Sequence, residues 1–137
     1  MIKVMIGGNF DPFHDGHLAY IKQAAEAGDY IICLLTIDKM CLAKKGYVNI
    51  PQEGRFEIMD LLLKGMGIPH EVVLNTFDTI PGLSSEALRH LKPAINFRAY
   101  MKQNEGMPVE EEKACEELGI KVMYAHYMIE RHGRMFE

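Results

Sequence analysis

Residues Tyr30-Ile31-Ile32-Cys33-Leu34-Leu35-Thr36-Ile37 form an unbroken apolar run rich in β-branched side chains. A strand with one wet face alternates apolar and polar residues. One without alternation is covered on both faces, the situation of a central strand in a parallel sheet sandwiched between helices. The rest of the chain repeats the order this demands. Ile2–Gly7 reads as a first strand, and about Gly16 to Ala27 as a helix with Leu18, Ile21, Ala24 and Ala25 on one face, ended by Gly28-Asp29. After the apolar run comes a polar, lysine-bearing stretch from Asp38 to Asn49, expected as a loop, and Pro51 opens a helix to about Met66. His70–Leu74, Ala94 to about Tyr100 and Ile120–Ala125 read as further strands, with helices at Ser84–Leu91 and Pro108–Leu118, the latter stopped by Gly119. The pattern is α/β, five strands alternating with helices.

Length and composition bound the rest. A chain of 137 residues suits one domain with a single core, and no internal repeat or linker divides it. An apolar fraction of 48% with 25% charged residues is ordinary for a globular domain and argues against disorder and coiled coil. Net charge of −4 supplies no field for a nucleic-acid backbone, so nucleic acid is not an expected partner. No apolar run reaches bilayer length, and the glycine pair after Ile6 comes too early for a signal peptide, so a cytoplasmic protein without a membrane partner is expected. Cys33, Cys41 and Cys115 are odd in number and widely spaced, which favours reduced thiols over a zinc site or a disulfide framework.

The chemistry-bearing segment lies where the first strand turns into the first helix: Gly7-Gly8-Asn9-Phe10-Asp11-Pro12-Phe13-His14-Asp15-Gly16-His17. Open parallel sheets bind ligands beyond the carboxyl ends of their strands. Glycines there let the backbone approach a ligand, and a helix start presents unpaired N–H groups and a positive dipole end to an anion. Phosphate fits. His14 and His17, three residues apart, can converge on one group and donate hydrogen bonds to oxygens that gain charge as a phosphoryl bond changes. A His-x-x-His pair can also hold a transition metal, but no third ligand is evidently paired with it, so no metal site is assigned. His70, His90, His126 and His132 lack such a setting and read as structural.

The stretch GGNFDPFHDGHLAYIKQA resembles the signature of the cytidylyltransferase-like nucleotidyltransferase superfamily: a glycine, then Phe-Asp, then His-x-Gly-His opening a helix. Its small cytidylyltransferase and heptose-phosphate adenylyltransferase branches are the most similar, with likeness extending over about residues 1–125. The resemblance implies a Rossmann-like, HUP-type three-layer fold with a five-stranded parallel sheet in the order 3-2-1-4-5. It implies transfer of CMP or AMP from CTP or ATP to a small phosphorylated polyol or sugar, with pyrophosphate released and Mg²⁺ arriving with the triphosphate. It places His14 and His17 on the nucleotide's phosphates, and Lys44 in the loop where relatives carry a catalytic lysine. Gly7, Gly8, Asn9, Phe10, Asp11, Gly16, Lys45 and Arg55 would shape the phosphate pocket. Asp38 would face the acceptor or ribose. A homodimer is common among small relatives.

Two segments depart from that pattern. Where relatives carry a glycine-rich acidic segment after the fourth strand, this chain has Asn96-Phe97-Arg98-Ala99-Tyr100-Met101-Lys102-Gln103. Where many relatives follow the fifth strand with a serine- and threonine-rich turn for the outer phosphates, it runs from Tyr124 through Arg134 without one. Arg98, Lys102, Arg131 or Arg134 would then take over part of the phosphate binding. The alternative is a divergent or non-catalytic nucleotide-binding module that has lost the outer-phosphate site.

Overall fold

The computed structural model describes residues 1–100 and 106–126. The elements run β1 (Lys3–Gly8), α1 (Asp15–Glu26), β2 (Tyr30–Leu35), α2 (Asp38–Lys45), α3 (Gln52–Gly65), β3 (His70–Leu74), α4 (Ser85–Leu91), β4 (Ile95–Arg98), α5 (Val109–Leu118) and β5 (Lys121–Tyr124). All strand pairs are parallel, in the order β3-β2-β1-β4-β5. That is the expected α/β, Rossmann-like sheet. β2 lies in the interior of the sheet as its apolar run demands, although β1 takes the middle position.

The unbroken apolar pattern has a direct cause. Val4, Ile6, Ile31, Cys33 and Leu35 point to one face, where they pack with Tyr20, Ile21 and Ala24 of α1 and Met59 and Leu63 of α3. Met5, Ile32 and Leu34 point to the other, against Ala87 and Leu88 of α4 and Ala114 and Cys115 of α5. Both faces are dry, so neither strand has a polar register. The buried residues of α1 are Ala19, Tyr20, Ile21, Gln23 and Ala24. The expected stripe was rotated from this face, because Tyr20 and Gln23 turn their polar tips inward onto backbone partners.

One expectation fails outright: residues 38–45 form a helix. Asp38 sits in its first turn, Lys44 and Lys45 in its last, and Gly46 closes it in the left-handed region at φ 85. Charges so placed suit the helix dipole. Only Cys41 of α2 is buried, so the segment lacks the apolar stripe by which a helix is recognised.

The sheet splits at its carboxyl end. β1 and β2 stay in register from Lys3–Tyr30 to Gly8–Leu35. β1 and β4 pair only at Val4–Ile95 and Met5–Asn96, because the chain leaves β1 toward one face and reaches β4 from the other. The Tyr20 hydroxyl bridges the gap, donating to the Phe97 carbonyl at 2.6 Å and accepting from the Gly7 N–H at 3.2 Å. Burial holds the phenol's pKa far above its usual value. The crevice so opened is where the site forms.

Candidate active site

His14 is the N-cap of α1. Its Nδ1 accepts the Gly16 N–H at 3.0 Å, and its own N–H donates to Nδ1 of His17 at 3.1 Å. The rings stack with centroids 3.7 Å apart and planes 19° from parallel. Phe10 meets the His17 ring edge-on at 4.8 Å, and Phe13 lies 5.6 Å from it. With its Nδ1 spent as an acceptor, a neutral His17 imidazole carries its proton on Nε2. Burial, then the neighbouring His14, pushes the His17 pKa down to about 4. Near pH 7 His17 is therefore neutral, with its tautomer fixed by the helix start.

Gly16 is part of this construction. A Cβ there would stand 2.9 Å from Cε1 and 3.1 Å from Nδ1 of His14, so the capping ring occupies the space a side chain would need. The Gly in His-x-Gly-His is thus required by the first histidine's packing.

His17 lines a cavity of about 340 Å³ in the crevice. Gly7, Gly8, Asn9 and Phe10 wall it on the β1 side, and Lys44 reaches it from α2. Arg98 lines the β4 side, its guanidinium donating to the Gly106 carbonyl at 3.3 Å and the Tyr124 hydroxyl at 3.1 Å. Gly7, Gly8, Asn9, Phe10, His17, Lys44 and Arg98 are thus brought together, with His14 stacked on His17. Lys102, like Arg131 and Arg134, lies outside the described residues.

Asp11, Asp38, Lys45 and Arg55 sit behind the cavity wall. The Asp11 carboxylate accepts the N–H groups of Asn49 at 2.8 Å and Ile50 at 2.7 Å, and Lys45 approaches it at 3.5 Å. Burial pulls its pKa upward, yet the two amides and the lysine outweigh that and leave it below the usual value. Arg55 is 1% exposed. Its guanidinium donates to the carbonyls of Ile50 at 2.8 Å, Asn9 at 2.9 Å and Thr36 at 2.6 Å, and to Asp38 at 2.7 Å. Its donors are directed at the protein, tying the histidine loop, the end of β2 and the start of α3 into one unit. Gly16 likewise acts through His14.

Several cavity residues escaped the sequence reading. Tyr20 looks like an ordinary helix aromatic, because its hydroxyl's partners come from strands far along the chain. Asn75 and Asp78 follow β3: Asn75 accepts the N–H groups of Phe77 and Asp78, while Asp78 accepts those of Glu86 and Ala87 at the start of α4. An Asn-x-x-Asp pattern directly after a strand was the available signal. Glu111 lines the cavity from α5, 5% exposed, yet in sequence it is hidden in the acidic run Glu110-Glu111-Glu112. Burial raises its pKa against the opposing pull of Arg98 and Ser84. Among the described residues no three His, Cys, Asp or Glu side chains gather as a metal site. His70 and His90 stand apart from the cavity, on Asp60 and Phe77.

Comparison with known proteins agrees with this geometry. The cytidylyltransferase-like family model matches residues 5–95. An FAD synthase of Pyrococcus horikoshii is 34% identical over 96 residues, 69% of this chain and 60% of that protein, so the chain spans less than two thirds of this relative. A phosphopantetheine adenylyltransferase of Thermococcus gammatolerans is 32% identical over 130 residues, covering 87% of this chain and 72% of its own. The crystal structure of a lipopolysaccharide core biosynthesis protein from Thermoplasma volcanium shares the fold, with a TM-score of 0.65 at 23% identity, covering 90% of this chain and 93% of the other. With the family model matched over about two thirds of its length, from β1 and the histidine loop to the start of β4, the chain belongs to the cytidylyltransferase-like family.

Proposed function

We propose that the protein is a nucleotidyltransferase that moves CMP or AMP from CTP or ATP onto the phosphate of a small phosphorylated acceptor. The observation that carries this reading is the His14–His17 stack, which holds His17, with Nδ1 already bonded, at the wall of a cavity also lined by Lys44, Gly8, Asn9 and Phe10. An oxygen of the acceptor phosphate attacks the α-phosphorus; the new P–O bond forms as the bond to the β-phosphate breaks, and pyrophosphate leaves with that electron pair. No covalent enzyme intermediate is required, so the protein's contribution is placement and charge stabilisation. His17, uncharged and pre-oriented, donates to oxygen that gains charge in the transition state, while Lys44 supplies full positive charge. Mg²⁺ enters as part of the metal–triphosphate substrate, held mainly by phosphate oxygens.

Polyol and sugar phosphates are the acceptors that the sequence resemblance suggests. The relatives named for FAD and phosphopantetheine widen the class to larger phosphate monoesters. Three free, buried cysteines suit a reducing compartment, which supports a cytoplasmic assignment. The contrary reading, a nucleotide-binding module without turnover, draws on Arg98, whose guanidinium is partly committed to Gly106 and Tyr124. Incubation with Mg²⁺, each nucleoside triphosphate and a panel of phosphate monoesters, followed by pyrophosphate measurement, separates the two. Acceptor-dependent pyrophosphate release that falls about a hundredfold or more in His17→Ala is expected. Nucleotide binding with no turnover on any acceptor would favour the module.

A further inference from the structure

We propose that the acceptor carries an apolar carbon surface beside its phosphate, and that Ile37, Met40, Ile80 and Leu83 receive it. This deepens the transferase reading and rests on it. Met40 and Lys44 are four residues apart on α2 and both line the cavity, so a cation and an apolar side chain stand one turn apart on one helix face. Ile37, the N-cap of α2, lines the same cavity. Ile80 and Leu83 line the same cavity from the segment between β3 and α4, where the Leu83 N–H donates to the Ile80 carbonyl at 3.2 Å. Ile80 is 59% exposed, a large aliphatic side chain left in water at a cavity wall.

Two polar side chains of that segment are already engaged. Asn75 spends its carbonyl on Phe77 and Asp78 and its amide on Asp78, and Asp78 spends both oxygens on Asn75, Glu86 and Ala87. These bonds fix the segment that presents Ile80 and Leu83. A polyol chain laid there would lose water and gain few partners, which is costly, whereas a ring or alkyl face would gain by burying the four side chains. The phosphate would sit toward Lys44 and the carbon surface one turn toward the start of α2.

Equilibrium titration in the presence of Mg²⁺ and a non-hydrolysable nucleoside triphosphate analogue tests this, with 1-naphthyl phosphate and glycerol 3-phosphate as probes of equal charge. The naphthyl ester should bind about tenfold tighter or better. Ile80→Ser with Leu83→Ser should narrow that ratio severalfold, with thermal unfolding near that of the wild type and affinity for the analogue unchanged. Ile80→Ser alone, at an exposed position, provides the same comparison if the double variant is unstable. Equal or tighter binding of glycerol 3-phosphate, or a ratio the variants leave unmoved, would overturn the inference. Acceptor-dependent pyrophosphate release with Mg²⁺ and each nucleoside triphosphate, and its loss in His17→Ala, report on the transferase reading separately. A protein that releases pyrophosphate with an acceptor but does not prefer the naphthyl ester refutes only the apolar acceptor; one that turns over no acceptor refutes the transferase reading, and one that does so without preferring the naphthyl ester refutes both.

Discussion

Gly16→Ala is the substitution whose two consequences the geometry separates most sharply. In an ordinary helical position this change stabilises, by about 0.4–1 kcal/mol through the unfolded chain and the helix preference for alanine. Here the new methyl would lie 2.9 Å from the His14 ring, which must swing away and give up the Gly16 N–H. Losing such a cap costs about 1 kcal/mol, so the two effects nearly cancel. The folded protein should therefore unfold within a few degrees of the wild type. His14 holds His17 both by stacking and through its backbone N–H, so displacing the first ring by about an ångström misplaces the second. Displacements of that size at a reacting centre cost about a hundredfold in rate. Thermal unfolding read beside kcat for pyrophosphate release should thus show near-native stability and a rate down by about two orders of magnitude. A Gly16→Ala enzyme within a few-fold of wild-type kcat would refute the claim that the glycine serves the histidine stack.

Arg55→Lys replaces a fork that satisfies three carbonyls and a carboxylate with a single ammonium, and it should cost about 2–4 kcal/mol in denaturant unfolding. If the arginine instead served triphosphate directly, the relative affinities for tri- and diphosphates would change more than stability. Tyr20→Phe leaves the Phe97 carbonyl and Gly7 N–H without their bridge, for about 1–3 kcal/mol and a weakened crevice; an unchanged midpoint would contradict the bridging role. For pH, His17 binds its proton less readily folded, at about 4, than unfolded, at about 6.5. Between those values the unfolded chain holds more protons, so this contribution to stability is complete above about pH 6.5 and shrinks as pH falls toward 4. Denaturant unfolding of the wild type should lose more stability from pH 7 to 5 than that of His17→Asn; parallel losses would rule the shift out.

The fold was legible because its signals are local. A non-alternating run such as Tyr30–Leu35 requires two dry faces, and a strand running into glycines and then His-x-Gly-His fixes where the sheet opens. α2 escaped because one buried cysteine leaves no periodicity to read. In the site, residues whose chemistry depends on their own neighbours in sequence were found: His14, Gly16 and His17 make their bonds within one helical turn. Residues whose role depends on distant partners were missed, as Tyr20 was, or named for another role, as Arg55 was. Arg55 contacts Asn9, 46 positions away, and Tyr20 contacts Phe97, 77 positions away; nothing local distinguishes a guanidinium that meets phosphate from one that braces the loop beneath it. Glu111 needed the packing of α5 against the crevice to stand out from its acidic neighbours.

The stack makes a claim about a single proton. Nitrogen-15 NMR of the His14 and His17 imidazoles, recorded from pH 5 to 8 with and without a non-hydrolysable nucleoside triphosphate analogue, observes it. A His17 ring that stays neutral with its proton on Nε2 throughout, and whose Nε2 signal moves when the analogue binds, is the expected result. A proton on Nδ1, a titration near 6.5, or an Nε2 signal indifferent to the analogue would contradict the account.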